Sequence, residues 1–197
     1  MWVVKIGGSM SRDPVLKEWL VRLCQIGSGR VVIVPGGAAF ADQVRAYHTY
    51  WRFGDLPAHN MAVLAMAQFG LLMQGLCPEL MLAANDEMIR QTLRQARVAV
   101  WMPFEALRER PDELTRWSVT SDSLAAWLSG RLNAERLVLV KACEIDPGAS
   151  IYQQIASGVV DAEFAAFTRA AAYPIDILNK NELARMRELL LAPQAVP

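Results

Sequence analysis

A lysine, two glycines and a serine follow the first apolar run of the chain, in the sequence WVVKIGGS. Lys5 can place positive charge against phosphoryl oxygens, and Gly7 and Gly8 let backbone N–H groups approach an anion closely. Ser9 adds a hydroxyl group beside them. These residue types at this spacing favour a phosphate-binding loop at the carboxyl end of a strand, although a plain strand–turn–helix connection would use the same residues.

A second glycine loop ends the next apolar run, in VIVPGGAAFAD, and a helical pattern follows it at once. Gly36 and Gly37 therefore repeat the arrangement one unit later in the chain. Two such loops at the ends of neighbouring strands could hold the two reactants of one phosphoryl transfer. A tight turn remains the alternative for either loop, but the two together favour the phosphate interpretation.

Four polar residues crowd the start of a later helix, in VTSDSLAAWL: Thr120, Ser121, Asp122 and Ser123. A helix needs only one N-cap side chain, so capping explains any one of them but not all four. We predict that Asp122 orients Lys5 or another cation of the site, because a carboxylate can hold an ammonium group in a fixed direction.

Lys141 ends the apolar run RLVLVK much as the first lysine ends its own run. Lys141 is a candidate for a second cation of the site. The equal alternative is a purely structural role, in which its aliphatic stem lies along apolar surface at the strand end. No metal site is predicted, because the chain has only two histidines, His48 and His59, and its three cysteines show no metal-ligand spacing.

Apolar β-branched runs alternate along the chain with segments of helical periodicity. Runs that are apolar on both faces are typical of parallel strands, so the alternation predicts an α/β fold, a three-layer α/β/α sandwich around a mostly parallel sheet. We expect one domain over residues 1–191 and a frayed tail over 192–197. The predicted strands cover residues 2–6, 30–35, 80–85, 98–103, 135–142 and 173–179. The predicted helices cover residues 13–29 (with Asp13 as cap and Pro14 first in the helix), 39–53, 57–76, 86–95, 121–133, 161–172 and 181–191.

The composition indicates a large core and at least one covered apolar face. Hydrophobic residues make up 53% of the 197 residues, charged residues make up only 20%, and the mean hydropathy is +0.18. A helix that is apolar nearly all round is normally enclosed, so we expect the helix at 57–76 to be buried against another copy of the chain as well as its own core. The sequence therefore predicts a homo-oligomer.

The balanced charge and the lack of a visible targeting signal argue against nucleic-acid and membrane partners. The 20 basic residues balance the 20 acidic ones, which argues against a nucleic-acid partner. The longest apolar stretch, about 16 residues, is short for a membrane span, and no signal peptide is visible. The cysteines show no disulfide framework, so we expect a reducing cytoplasm and no membrane partner.

The order of the motifs VVKIGGS, VIVPGGAAFAD, TSDSLAAWLSGRL and RLVLVK resembles the amino-acid kinase superfamily, which includes acetylglutamate, aspartate, glutamate 5- and uridylate kinases. The resemblance extends over about residues 1–190. Within the superfamily the chain is similar to a short branch that resembles the aminomethylfuran-methyl-phosphate kinase of methanofuran biosynthesis. The features of that branch are the compact length, the segment PAHNMAVLAMAQFGLLM after the second loop, and VTSD.

The resemblance implies an ATP-dependent kinase that uses Mg²⁺ and transfers the γ-phosphoryl group to a small phosphate or carboxylate acceptor. On the branch comparison the acceptor would be an aminomethylfuran phosphate of methanofuran or one-carbon cofactor synthesis. No covalent enzyme intermediate is expected, because positioning and charge carry this chemistry. The implied roles are catalysis by Lys5, Asp122 and Lys141, binding of the ATP phosphates by Gly7, Gly8, Ser9 and Lys141, and binding of the acceptor by Gly36, Gly37, His59, Thr120 and Ser121. For His59 a helix histidine with a polar partner is the equal alternative.

The chain departs from the superfamily pattern at three places. Ala38 and Ala39 follow the second glycine pair, where relatives usually have a further small residue, often glycine. KACEIDPG stands where relatives have Asp-Val-Asp-Gly, and the Gly-Gly-Met loop before the second catalytic lysine of larger kinases is missing. Lys141 is the nearest substitute for that lysine, and Lys180 is a weaker one. These departures leave a second hypothesis open, a catalytically weak kinase-like binding protein or regulatory subunit.

Overall fold

A computed structural model describes residues 1–107 and 113–192 of the chain. The tail predicted over 192–197 lies outside the described residues except for Ala192, which follows the last helix. The strands are β1 (Trp2–Ile6), β2 (Val31–Pro35), β3 (Met81–Ala83), β4 (Ala99–Trp101), β5 (Arg136–Lys141) and β6 (Ile175–Asn179). Within the described ranges they form one six-stranded sheet in the order β3-β4-β2-β1-β5-β6, and every strand pair is parallel.

Helices cover both faces of this sheet. They are α1 (Val15–Gly27), α2 (Ala38–Trp51), α3 (Asp55–Leu76), α4 (Asp86–Arg94), α5 (Phe104–Leu107), α6 (Ser121–Arg131), α7 (Ile151–Ala156), α8 (Phe164–Thr168) and α9 (Leu183–Leu191). One apolar core joins the sheet to α1, α9 and the carboxyl-terminal half of α3, and a second joins the opposite face to α4, α6 and α8. The predicted three-layer α/β/α sandwich is therefore confirmed.

The central position of β1 determines where the site lies. Lys5 in β1 lies opposite Val34 of β2 and Leu139 of β5. Because the carboxyl ends of parallel strands share one edge of a sheet, the segments that follow β1, β2 and β5 meet there. Lys141, the last residue of β5, ends at the same edge. The sheet thus gathers the predicted loops and both lysines without any long connection.

Some helix boundaries differ from the sequence prediction. Pro14 takes the N-cap position of α1 rather than the first helical one, and Val15 N donates a hydrogen bond to Asp13 Oδ1 at 3.0 Å. The helix predicted over 161–172 is shorter in the structure, where α8 begins at Phe164 and the carboxylate of Asp161, which precedes it, accepts a hydrogen bond from Ser123 N of α6. A 3-10 turn over Gly8–Arg12 and the short helices α5 and α7 were not predicted.

Helix α3 is long and apolar, and it lies against the sheet. By length and composition alone it could cross a membrane, with a hydropathy of 1.3 over an 18-residue window. A buried core helix passes the same test, and Phe69 and Met73 of α3 are fully buried in the core beside β2 and β4. Leu64, Leu71 and Leu72 lie on its exposed side. The sheet and the neighbouring helices α1, α2 and α5 bury 44% of the residues in that window and leave these three leucines uncovered within one chain.

Candidate active site

The two glycine loops touch each other directly. A Cβ atom on Gly8 would come within 2.3 Å of Ala38 N, and one on Gly36 would come within 2.5 Å of Gly8 N. Any side chain at either position would force the loops apart. Ala38 adopts a left-handed conformation with φ of 51°, which is unfavourable for a residue with a Cβ atom. The chain therefore accepts backbone strain to keep this junction closed.

Hydrogen bonds divide the predicted glycines into two kinds. Gly7 N donates to Val140 O at 2.9 Å, and Gly36 N donates to Ile6 O at 2.9 Å. Both bonds continue the pairing of the sheet, so these two N–H groups are not available to an anion. Gly8 and Gly37 instead line the cavity at the sheet edge. The N–H groups of Gly7 and Gly36 are thus used within the sheet, while the predicted contacts of these glycines with phosphate and acceptor stay predictions.

Three buried charges form the centre of the site. Lys5 Nζ lies 2.8 Å from Asp122 Oδ1, and Lys141 Nζ lies 2.5 Å from Asp122 Oδ2. The relative exposures of the three residues are 4%, 3% and 9% in the order Lys5, Asp122 and Lys141. One carboxylate thus serves two ammonium groups in a place with little water. Two ammonium groups against one carboxylate leave an excess positive charge, and no other ion pair within residues 1–107 and 113–192 balances it.

Burial and mutual attraction set the charges of this cluster. Burial would raise the pKa of Asp122, but the attraction of Lys5 and then of Lys141 outweighs it and lowers that pKa below its ordinary value. Burial, followed by repulsion from Lys5, lowers the pKa of Lys141 to about 8, against the attraction of Asp122. Lys141 therefore changes its protonation near pH 8.

Two adjoining cavities open above the cluster. The larger, here named the large cleft, has a volume of about 440 Å³ and is lined by Lys5, Gly8, Ser9, Gly37, Asp122 and Lys141. The smaller, here named the side pocket, has a volume of about 90 Å³ and is lined by His59, Val63, Met66, Arg116, Trp117 and Leu124. Their shared wall consists of Gly37, Ala41, Arg45, Thr120 and Ser121. Two reactants could therefore meet end to end at this wall.

Comparison with known proteins decides the family. The family model described as the amino acid kinase family matches residues 1–144. The chain belongs to the amino acid kinase family. The family resemblance seen in the sequence is confirmed, and the chain is accordingly an enzyme of the kinase class, a phosphotransferase.

Individual relatives of this amino acid kinase agree in class and fold. Over 162 residues it is 26% identical to the 5-(aminomethyl)furan-3-yl-methyl phosphate kinase of Methanocaldococcus jannaschii, which covers 80% of this chain and 71% of that protein. The uridylate kinase of Archaeoglobus fulgidus superposes with a TM-score of 0.67 at 14% identity, covering 96% of this chain and 95% of the other. The UMP kinase of Bacillus anthracis superposes with a TM-score of 0.69 at 16% identity, covering 96% and 91%. At these identities the two structures show a common fold.

Sequence reasoning missed one residue at the site of this kinase. The carboxylate of Asp161 accepts hydrogen bonds from Thr120 Oγ1 at 2.8 Å and from Ser123 N at 3.0 Å, so it caps α6 from a distant segment. Thr120 donates its hydroxyl hydrogen to this carboxylate, which leaves Ser121 as the better donor toward a ligand at the shared wall. Asp161 is 38 residues or more from its partners, and no local pattern marks it.

The remaining sequence candidates divide between the cavities and the surface. His59 is buried and lines the side pocket, as its proposed acceptor contact requires. Lys180 does not join the cluster, since it forms an ion pair with Asp13. In residues 1–107 and 113–192, no group of three or more His, Cys, Asp or Glu side chains could hold a metal ion. Asp122, the acidic residue at the centre, is already engaged by two lysines.

The pKa of Lys141 predicts how activity depends on pH. As a catalytic cation Lys141 would act in its ammonium form, which predominates below pH 8, so we expect kcat/KM to fall as the pH rises through about 8. A bound polyphosphate attracts the ammonium group, so the corresponding fall in kcat should lie at higher pH. The measurement is a pair of pH profiles between about pH 6 and 10. Lys141→Arg, which keeps its charge over this range, should lose the fall if it retains activity. A wild-type kcat/KM profile that stays flat to pH 10 would contradict the assignment.

Proposed function

We propose that the chain is an ATP-dependent small-molecule kinase that transfers the γ-phosphoryl group to a phosphate or carboxylate acceptor. The observation that carries the proposal is the pair of buried ammonium groups that share one carboxylate at the base of the large cleft. A buried excess of positive charge is costly unless an anion enters the site, and a transferred phosphoryl group is such an anion. The family assignment supports the same reaction class.

Each residue of the cluster has a distinct part in the proposed reaction. An acceptor oxygen attacks the γ-phosphorus while the bond to the β–γ bridging oxygen breaks, and the bridging oxygen leaves with ADP. Lys5 and Lys141 stabilise the negative charge on the phosphoryl oxygens, and Asp122 holds both ammonium groups in position. The residues fit a polyphosphate, because Gly8 and Gly37, which carry no side chain, line the large cleft together with the two ammonium groups. Mg²⁺ would arrive bound to the nucleotide phosphates and would neutralise part of their charge.

The nucleotide and the acceptor fit different cavities. The large cleft also contains Ser9 and Arg12, which support a role in binding the ATP phosphates. A further cavity of about 510 Å³ begins at Cys143, two residues beyond Lys141, and could take the nucleoside end. The acceptor would occupy the side pocket and approach the γ-phosphate across the shared wall.

The side pocket supports a small acceptor that combines an anionic group with a flat apolar part. Arg45 and Arg116 supply positive charge at its wall, while Trp117 and Met66 supply apolar surface. The M. jannaschii relative is named for a furan that carries a methyl phosphate and an aminomethyl group. A phosphate monoester of this kind, converted to a diphosphate, is the acceptor that we propose, and methanofuran or one-carbon cofactor synthesis is the proposed pathway.

We further propose a cytoplasmic homo-oligomer. Leu64, Leu71 and Leu72 of α3 are 43%, 52% and 37% exposed, and Tyr50 and Trp51 of the neighbouring α2 are more exposed still. Burying such a surface against a second copy would remove apolar area from water. Light scattering at micromolar concentration should therefore report a dimer or larger assembly, and Leu71→Glu should shift it toward the monomer. A monomeric wild type at that concentration would contradict the proposal.

Calorimetry and turnover together test the proposed function against its alternative. Calorimetric titration with MgATP and a coupled assay for ADP, run with a panel of phosphate monoesters and carboxylates, separate three cases. Binding with acceptor-dependent ADP release supports the kinase. Binding without turnover across the whole panel would favour a binding or regulatory subunit, which the altered KACEIDPG segment also suggests. Absence of MgATP binding would contradict both.

A further inference from the structure

We propose that Asp161 is a positioning residue, which fixes the first turn of α6 and thereby holds Asp122 between the two lysines. The inference rests on the proposed function, because it concerns the same charged cluster. Asp161 does not contact either cavity, so any effect on the reaction has to act through Asp122.

Helix α6 begins without a side-chain cap of its own. Thr120 stands at its N-cap position but makes no capping hydrogen bond within the helix. The carboxylate of Asp161 takes over this function by accepting from Thr120 N at 3.2 Å, Thr120 Oγ1 at 2.8 Å, Ser123 N at 3.0 Å and Ser123 Oγ at 2.5 Å. The groups that it binds flank Asp122 on both sides in the sequence. Four hydrogen bonds to Asp161 therefore hold the helical turn that carries Asp122.

The carboxylate of Asp161 is itself held in place. Glu163 N donates to Asp161 Oδ1 at 3.1 Å, which fixes the direction of the side chain. Glu163 in turn accepts a hydrogen bond from Ser118 Oγ at 2.9 Å, next to Trp117 of the side pocket. The segment at 161–163 thus contacts α6 through Asp161 and the wall of the side pocket through Glu163.

The segment that contains Asp161 belongs to the same part of the chain as Lys141. Asp161 and Lys141 both belong to the stretch that begins at the end of β5 and leads to β6. That stretch supplies one of the two cations directly and orients the carboxylate between them through Asp161. The two ion pairs of Asp122, with N–O separations of 2.5 and 2.8 Å, depend on the orientation of the first turn of α6. A small rotation of that turn would move Asp122 away from one of the lysines.

The test uses a graded set of variants of the full chain. Asp161→Ala removes all four contacts, Asp161→Asn keeps one carbonyl oxygen, and Ser123→Ala removes a single hydroxyl contact. We expect kcat to fall by about tenfold or more in Asp161→Ala and less in the other two, with KM for MgATP within about threefold of wild type. Asp176→Asn is the matched control, because it removes the charge of a carboxylate that pairs with Arg136, lines neither cavity and leaves the Asp161 side chain intact.

A second readout does not depend on turnover. The pKa of Lys141 reflects first its burial, then repulsion from Lys5 and attraction from Asp122, and it can be followed by NMR of the lysine side chains during a pH titration. Release of Asp122 should move the Lys141 titration to lower pH in Asp161→Ala, whereas Asp176→Asn, in which Asp122 stays in place, should leave that titration unchanged. If Asp161→Ala folds with wild-type kcat and an unchanged Lys141 titration, the inference is overturned. If Asp161→Ala does not fold, the same two readouts in Asp161→Asn and Ser123→Ala decide, and wild-type values in both overturn it. A wild type that titrates as expected but transfers no phosphate would count against the proposed function alone.

Discussion

Asp122→Asn is expected to lower kcat by two orders of magnitude or more, equivalent to about 3 kcal/mol in the activation barrier. Asn keeps the size of the side chain but cannot hold two ammonium groups by charge. Lys5 and Lys141 would then repel each other, and Lys141 would lose its proton more readily. The assay is phosphoryl transfer at pH 7, with Asp176→Asn as control, since Asp176 pairs with Arg136 and lines neither cavity.

The same variant should also be less stable. Breaking a buried ion pair by removing one partner leaves uncompensated charge, and a loss of about 3 kcal/mol in the free energy of unfolding is expected at pH 7. In the folded variant the pKa of Lys141 should be lower than in the folded wild type. Over a wider pH range the unfolded variant then binds more protons than the folded one, so the stability of the variant rises with pH. The difference from wild type should therefore shrink between about pH 7 and 10, as measured by urea unfolding at both values. An Asp122→Asn protein with wild-type stability and activity would contradict the assigned role.

Lys5→Met should be equally inactive but should fold at least as well as wild type. The substitution removes the cation that contacts Asp122 Oδ1, and a loss of turnover of a hundredfold or more is expected, about 3 kcal/mol in the barrier. Stability is retained because Asp122 and Lys141 remain as a balanced pair of one anion and one cation. Removing Lys5 also removes a cause of the low pKa of Lys141, so the titration of Lys141 should move to higher pH.

The control for this variant is Lys180→Met. Lys180 is a partly buried lysine that pairs with Asp13 and lines neither cavity, so it matches Lys5 in type but not in role. We expect it to keep most of its activity. Near-normal turnover by Lys5→Met, measured beside this control, would remove Lys5 from the catalytic set.

The sequence was a reliable guide to the fold for a definite physical reason. Strands such as VVIVP are buried on both faces and therefore apolar throughout, and helices between them such as α1 and α4 place their buried residues at helical spacing. Their alternation was enough to predict a parallel sheet whose carboxyl edge brings Lys5 close to Lys141. The ion pairs of both lysines with Asp122 could be anticipated because all three residues stand at the ends of elements that share that edge.

Other features depend on register and on contacts between distant segments. The N–H groups of Gly7 and Gly36 continue the sheet pairing, and only the register of the strands shows that they are consumed. Asp161 caps a helix about 40 residues away, which no local pattern encodes. Ser150 and Gln153 did carry a local signal, a capping box for α7, that the sequence prediction overlooked.

Phosphorus-31 NMR of the wild-type protein with MgATP and a candidate phosphate monoester tests the central claim most directly. It follows both the nucleotide phosphates and the acceptor phosphate in one experiment. The account predicts that the γ-phosphate signal of ATP disappears, that ADP appears, and that the acceptor resonance is replaced by the coupled pair of a diphosphate, with Lys5→Met silent under the same conditions. ATP that persists unchanged with every acceptor tried, or that yields only inorganic phosphate at the same rate with and without acceptor, would contradict it.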